Sequence, residues 1–234
     1  MSQTETPNWA AYVATTEPTE LERLRLLQEV FDPASVALID FTQDGGTCVS
    51  TGLGGNRTIA GTVPAGDYAG LSFTVGVPAE MNHTSTELVS PPLDLAAMSW
   101  SWQAGRKFMN IELDPEGGLA RQDGTRARTW FVHLGATGCR GNPMGAEAVS
   151  CLYPNRVPVT FERFDVDSDV VAFDLAALLL ESRISQDRGA AAGCMSGRDD
   201  PECAEISSRL GLSVATGEPG TGIGQTVFRA QPAR

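Results

Sequence analysis

His83 and His133 are the only two histidines of this 234-residue chain, and each lies near residues with which it could share a metal. His83 sits in the loop "GVPAEMNHTS", just after Met81 and upstream of "MSWSWQAGRKF", which carries Met98, Trp100 and Trp102. His133 lies in "TWFVHLGATGC", where strand alternation puts it on one face with Phe131. Two imidazoles are too few for the closed tetrahedral shell of a structural zinc site. A low-coordinate copper(I) ion is satisfied more easily, by imidazole and soft sulfur, and Met81 and Met98 are close at hand as auxiliary donors. Indole cannot complete such a shell, because its nitrogen only donates. An oxidised, ring-opened tryptophan carries an aryl amine and a ketone, and could.

The competing reading is structural. In an extended "MSWSWQ" the side chains of Met98, Trp100 and Trp102 point one way and those of Ser99, Ser101 and Gln103 the other, as expected of a strand with its aromatic face in a core. A histidine on an apolar face is commonly a satisfied core residue. On that reading the chain is an extracellular structural or adhesive β-domain that holds no metal.

The elements that would position these residues are mostly strands. "SVALIDF", "NRTIAGTV", "YAGLSFTVGV", "MSWSWQ", "RKFMNIEL", "RTWFVHLG", "VPVTFERF" and "QTVFRA" are strand-length runs with β-branched or aromatic residues. Turn chemistry in "QDGG", "PAGDY", "DPEGG", "RQDGT" and "GNPMG" separates them. The expected fold is all-β, an antiparallel sandwich or barrel. Two short helices interrupt it: Asp174 can cap "LAALLLESR", and "DDPECAEISSRLGL" places Asp200 at an N-cap, Pro201 at the first helical position and Gly211 past the end. An earlier helix is expected in "PTELERLRLLQEVF", with Thr19 and Glu22 as a capping box.

Five cysteines fall at 48, 139, 151, 194 and 203, without a C-x-x-C pair. Cys139 with Cys151 and Cys194 with Cys203 each bracket a turn-rich loop. Disulfides closing those loops are preferred to buried free thiols, and they point to an oxidising compartment, periplasmic or extracellular. The start "MSQTETPNWAAY" has neither a basic nor an apolar signal-peptide region. Either the chain begins after a removed or misassigned leader, or the cysteines are reduced in a cytosol; a partner lost upstream would also explain why Cys48 lacks a mate.

The formal net charge is −12 with no dense run of Lys or Arg, which excludes nucleic acid and anionic membrane surfaces as partners. No apolar run is long enough for a membrane-spanning helix; the longest, "VVAFDLAALLL", is broken by Asp174. "FDVDSDV" offers Asp165, Asp167 and Asp169 at calcium-loop spacing, but Val170 and Ala176 stand where such a loop needs Gly and Glu. No G-x-S-x-G elbow or H-E-x-x-H helix occurs. A carboxylate-dependent hydrolase would need two acids facing one cleft with separated pKa values.

The ordered motifs "DGGTC", "GTVPAGDYAGLSFTVGVP", "NH", "MSWSWQAGRKF", "FVHLGATGC", "CLYPNR", "FDLAALL" and "GCMSGRDDPEC" resemble those of the MbnP-like family, the metallo-mystery pair four-cysteine proteins. The resemblance runs from Ser35 to Arg229. It implies a periplasmic or surface copper-binding protein, not itself an enzyme, whose partner is a dihaem c-type protein of the cytochrome c peroxidase and MauG type. That partner oxidises a tryptophan of the binding protein to kynurenine. Residue by residue, it implies that His83 and His133 hold copper(I), that Trp100 or Trp102 is the modified residue, and that Cys139, Cys151, Cys194 and Cys203 are the four family cysteines. Residues 1–34 depart from the family pattern and form an atypical N-terminal segment; residues 35–234 form the copper-binding β-domain.

Overall fold

The computed structural model describes residues 59, 66–101, 104–142 and 149–233. The expected early helix, the strands "SVALIDF" and "NRTIAGTV", Cys48 and Trp102 lie outside these residues, apart from Ile59. Twelve strands are described in chain order: β1 (Leu71–Val75), β2 (Ser99–Ser101), β3 (Gly105–Leu113), β4 (Leu119–Ala120), β5 (Arg126–Ala127), β6 (Trp130–Gly135), β7 (Thr137–Arg140), β8 (Ser150–Tyr153), β9 (Val157–Phe161), β10 (Asp169–Phe173), β11 (Gly193–Cys194) and β12 (Phe228–Pro232). Three short helices accompany them: α1 (Ala79–Asn82), α2 (Leu175–Leu178) and α3 (Pro201–Arg209). The all-β expectation holds.

The central sheet has the order β11-β6-β3-β2. Antiparallel pairing of β3 with β6 sets Asn110 opposite His133 and Ile111 opposite Val132, with a register shift between Lys107 and Met109. On one face of β6, Trp130, Val132 and Leu134 enter the core, where Trp130 and Val132 are fully buried beside Val157, Val159, Leu178 and Ile206. The other face carries Phe131 and His133, whose rings lie 5.1 Å apart. Alternation thus gives β6 one wholly apolar face and one that carries the buried His133.

Helix α3 follows the sequence expectation closely. The Asp200 side chain accepts from Glu202 N–H, Pro201 opens the helix, and Gly211 adopts φ +73° beyond its end. The Cys194–Cys203 disulfide ties α3 to β11. Gly193 pairs with Phe131 at φ +88°, and a Cβ there would meet the Phe131 backbone at 2.2 Å. Only glycine permits that approach. Helix α2 is shorter than "LAALLLESR" suggests. Asp174 caps it as expected, accepting from Ala177 N–H. The next turn then tightens, with Ser182 N–H donating to Leu179 C=O, which buries Leu178 and leaves Leu180 exposed.

Six described strands, β4, β5, β7, β8, β10 and β11, escaped the sequence pattern. β7 and β8 pair with Cys139 directly opposite Cys151, and the disulfide joins them there. The Asp165–Asp169 stretch is a turn: Asp167 N–H donates to the Asp165 carboxylate, and Asp165 N–H to that of Asp169.

One buried cation organises the approach to the sheet. Arg106 of β3 donates from its guanidinium to the carbonyls of Leu93, Met81, Asn82 and Thr84 at 2.6–3.0 Å, and its backbone N–H donates to Asn82 Oδ1. Burial lowers its pKa. Replacing Arg106 with methionine removes the guanidinium donors of four carbonyls, those of Leu93 and Asn82 buried, and keeps the backbone N–H bond to Asn82 Oδ1. The expected loss is about 3 kcal/mol or more, read as a lower urea midpoint with an unchanged slope.

Candidate metal centre

His83 ends α1 and is buried. The Asn82 amide orientation is set by Arg106 N–H, which donates to its Oδ1, so that Nδ2 faces His83 Nε2 at 3.2 Å. Nδ2 can only donate, which makes Nε2 the acceptor and places the ring proton on Nδ1. That is the tautomer whose Nε2 lone pair can take a metal. The same nitrogen lies 3.3 Å from Cys151 Sγ, and the donor atoms of His83, Cys139 and Cys151 all fall within 4.8 Å of one another. With the sulfurs bonded to each other, only the imidazole is a good ligand in this group.

His133 is buried on β6, and neither ring nitrogen has a hydrogen-bond partner among the described residues; the facing Asn110 Oδ1 is likewise without one. Burial, with Lys107 nearby adding to the effect, lowers its pKa to about 4. The ring is therefore neutral at physiological pH. A core histidine normally satisfies at least one nitrogen, and other buried polar atoms, Trp130 Nε1 among them, share this state among the described residues.

The strand bearing His133 is held at its edge by side chains where β11 ends. Ser196 Oγ donates to His133 C=O and accepts from Gly135 N–H, while Asn155 Nδ2 donates to Gly135 C=O. Both Ser196 and Asn155 have positive φ. These are the serine of "GCMSGR" and the asparagine of "CLYPNR", whose positioning role was not read from sequence. Their signal was the clustering of turn-forming residues around each.

Trp100 is half-buried on β2, beside the bulge that pairs Ser99 with Arg106 and Ser101 with Gly105. Its ring covers Gly135: a Cβ there would lie 2.7 Å from the indole and 2.7 Å from Arg106 C=O. Gly105 gives similar room to the Asn82 amide. Small residues thus let Trp100 rest on the strand of His133 and let the His83 loop rest on β3. Met98 does not share the strand with Trp100 as expected; it ends a 3-10 turn (Ala96–Met98) just before β2. Met81 lies in α1, where its carbonyl accepts from Arg106 and Thr84.

Among the described residues the buried carboxylates serve structure. Asp187 pairs with Arg121, Asp200 caps α3, and Glu202 accepts from the Arg188 N–H and guanidinium. Burial beside Glu202 raises the Asp200 pKa to about 7. No helix among the described residues is long and apolar enough to cross a membrane. Both expected disulfides are formed.

The MbnP family model matches residues 16–196. A solved structure, MbnP from Methylosinus trichosporium, is similar at 40% identity over 75% of this chain and 67% of that chain, with a TM-score of 0.68. No curated protein matches significantly. The match reaches from before the first described strand through the hairpin of Cys139 and Cys151 to Ser196, and it takes in both histidines, Trp100 and the glycine on which it rests: the chain belongs to the MbnP family.

Proposed function

We propose that this domain captures copper(I) through His83 and His133, and that a kynurenine made from Trp100 or Trp102 by a dihaem c-type partner of the cytochrome c peroxidase and MauG type completes or tunes the shell. The observation that carries the reading is the buried, unpartnered imidazole of His133. An unsatisfied buried polar group costs about 1–3 kcal/mol, and a soft cation on the ring would recover that loss. Its low pKa keeps it in the form that binds metal without first releasing a proton. His83 presents an Nε2 lone pair, and Trp100 packs on the strand that carries His133.

On this reading the chain's role is to acquire or buffer copper, and it is the substrate of its partner's oxidation rather than an enzyme. The half-buried Trp100 is open enough to be oxidised yet close enough to the β6 strand for a new amine to serve the metal. On this reading Met81 and Met98 supply auxiliary soft thioether donors. The two disulfides fit the periplasm or cell surface. A net charge of −12 favours a partner that presents a cationic face.

His83→Ala and His133→Ala should each weaken copper(I) retention against a chromophoric chelator by about 100-fold, with the far-ultraviolet dichroism unchanged. Equal affinity in both variants and wild type would remove the site. Fragmentation of protein isolated from cells with an active dihaem enzyme should place a kynurenine at position 100 or 102. Trp100→Phe and Trp102→Phe, made separately, then identify the residue: the modification disappears in one variant and persists in the other.

The metal-free protein carries a pH signature of the same residue. His133 has its folded pKa held near 4, below the ordinary 6.5, so between these values the unfolded chain binds a proton that the folded chain refuses. Stability from this group is complete above about pH 6.5 and is lost as pH falls toward about 4, by roughly 3 kcal/mol in full. Urea unfolding of wild type and His133→Ala across that range should show a steeper acid loss in wild type. Parallel curves would show that His133 is not held neutral.

A further inference from the structure

The two disulfides sit in different surroundings. Cys194 and Cys203 are buried, at 3% and 1% exposure, whereas Cys139 and Cys151 are half-exposed on the β7–β8 hairpin with the His83 ring against them. The second pair is therefore the more open to a reductant. We propose that Cys139, Cys151 and His83 form a redox-gated copper(I) site: closed while the sulfurs are joined, and opened as a three-coordinate N-S-S site when a dithiol reduces them.

The geometry on both sides of the change is favourable. The three donor atoms already lie within 4.8 Å of one another, and His83 Nε2 carries its lone pair 3.3 Å from Cys151 Sγ. A trigonal soft ion with metal–sulfur bonds of about 2.3 Å needs its sulfurs roughly 4 Å apart. Cys139 and Cys151 face each other directly across an antiparallel pair, so rotation about their Cα–Cβ bonds opens that gap with the strands in place. The Asn82 amide must give up its bond to Nε2, and it keeps its bond from Arg106 N–H.

The chemistry balances. A thiolate of the dithiol attacks one sulfur of the pair, the other leaves as thiolate, and the second thiol of the reductant resolves the mixed disulfide. Two electrons pass to the protein, and the reductant departs as its own disulfide. Copper(I) then binds the two sulfurs in place of two protons.

The site shares His83 with the reading above but does not require it. Reduction moves the ion from a shell that depends on His133 to one that depends on the cysteines.

The test uses full-length protein, free copper(I) and a chromophoric chelator as competitor, before and after treatment with dithiothreitol. Iodoacetamide labelling, mapped by mass, should find two new thiols, at Cys139 and Cys151. Copper(I) affinity should rise about 100-fold on reduction, and the gain should survive His133→Ala. It should be lost in His83→Gln, in the Cys139→Ser/Cys151→Ser double variant, and in wild type alkylated before metal is added.

An affinity that does not change on reduction overturns the proposal. So does a gain that survives alkylation, or loss of the near-ultraviolet dichroism when the pair is reduced. If the oxidised protein takes no copper but the reduced protein does, the His83–His133 reading falls and this one stands.

Discussion

The guanidinium of Arg106 is a charge taken out of water and compensated by four carbonyl dipoles, three of them on the residues that flank His83. Such an arrangement tolerates little displacement, because each carbonyl that moves away leaves a buried donor exposed to the full desolvation cost. It is also what joins the parts of the site. Through its backbone N–H it turns the Asn82 amide toward His83, and through its carbonyl it abuts Gly135, on which Trp100 rests. The loop of one histidine, the strand of the tryptophan and the strand of the other histidine therefore meet around one residue of β3. A fold with several two-stranded ribbons and modest helices gains a rigid corner in this way.

What could be read from the sequence was whatever rests on local pattern. Period-two alternation located β1, β3, β6 and β9, because each has one face in the core. Asp174 and Asp200 announced their helices because a cap needs a short acceptor at that position. Both cysteine pairs were legible from their spacing. What could not be read depends on contacts between distant segments. β7 and β8, "TGCR" and "SCLY", lack the β-branched alternation of a half-buried strand and are held by each other and by the bond between their cysteines. The approach of His83 to that bond joins residues 68 positions apart, for which no spacing rule exists. Arg106 stood in plain sight within "AGRKF", yet a lone arginine in a strand reads as a surface residue until its acceptors are known. The orphaned state of His133 is likewise a property of its neighbours: Phe131 was visible as a partner on the same face, but nothing in the chain indicated that neither nitrogen would find a hydrogen bond.

The two ends of the central sheet have a consequence for the protein at high concentration. β11 spans only Gly193–Cys194 and β2 only Ser99–Ser101, and past the end of β11 the polar backbone atoms of His133 and Gly135 are taken up by Ser196 and Asn155 rather than by another strand. Among the described residues, that end of the sheet offers a neighbouring molecule fewer free amides and carbonyls on which to lay a strand of its own. Ser196 and Asn155 thereby guard this end of the sheet against strand pairing with copies of the chain.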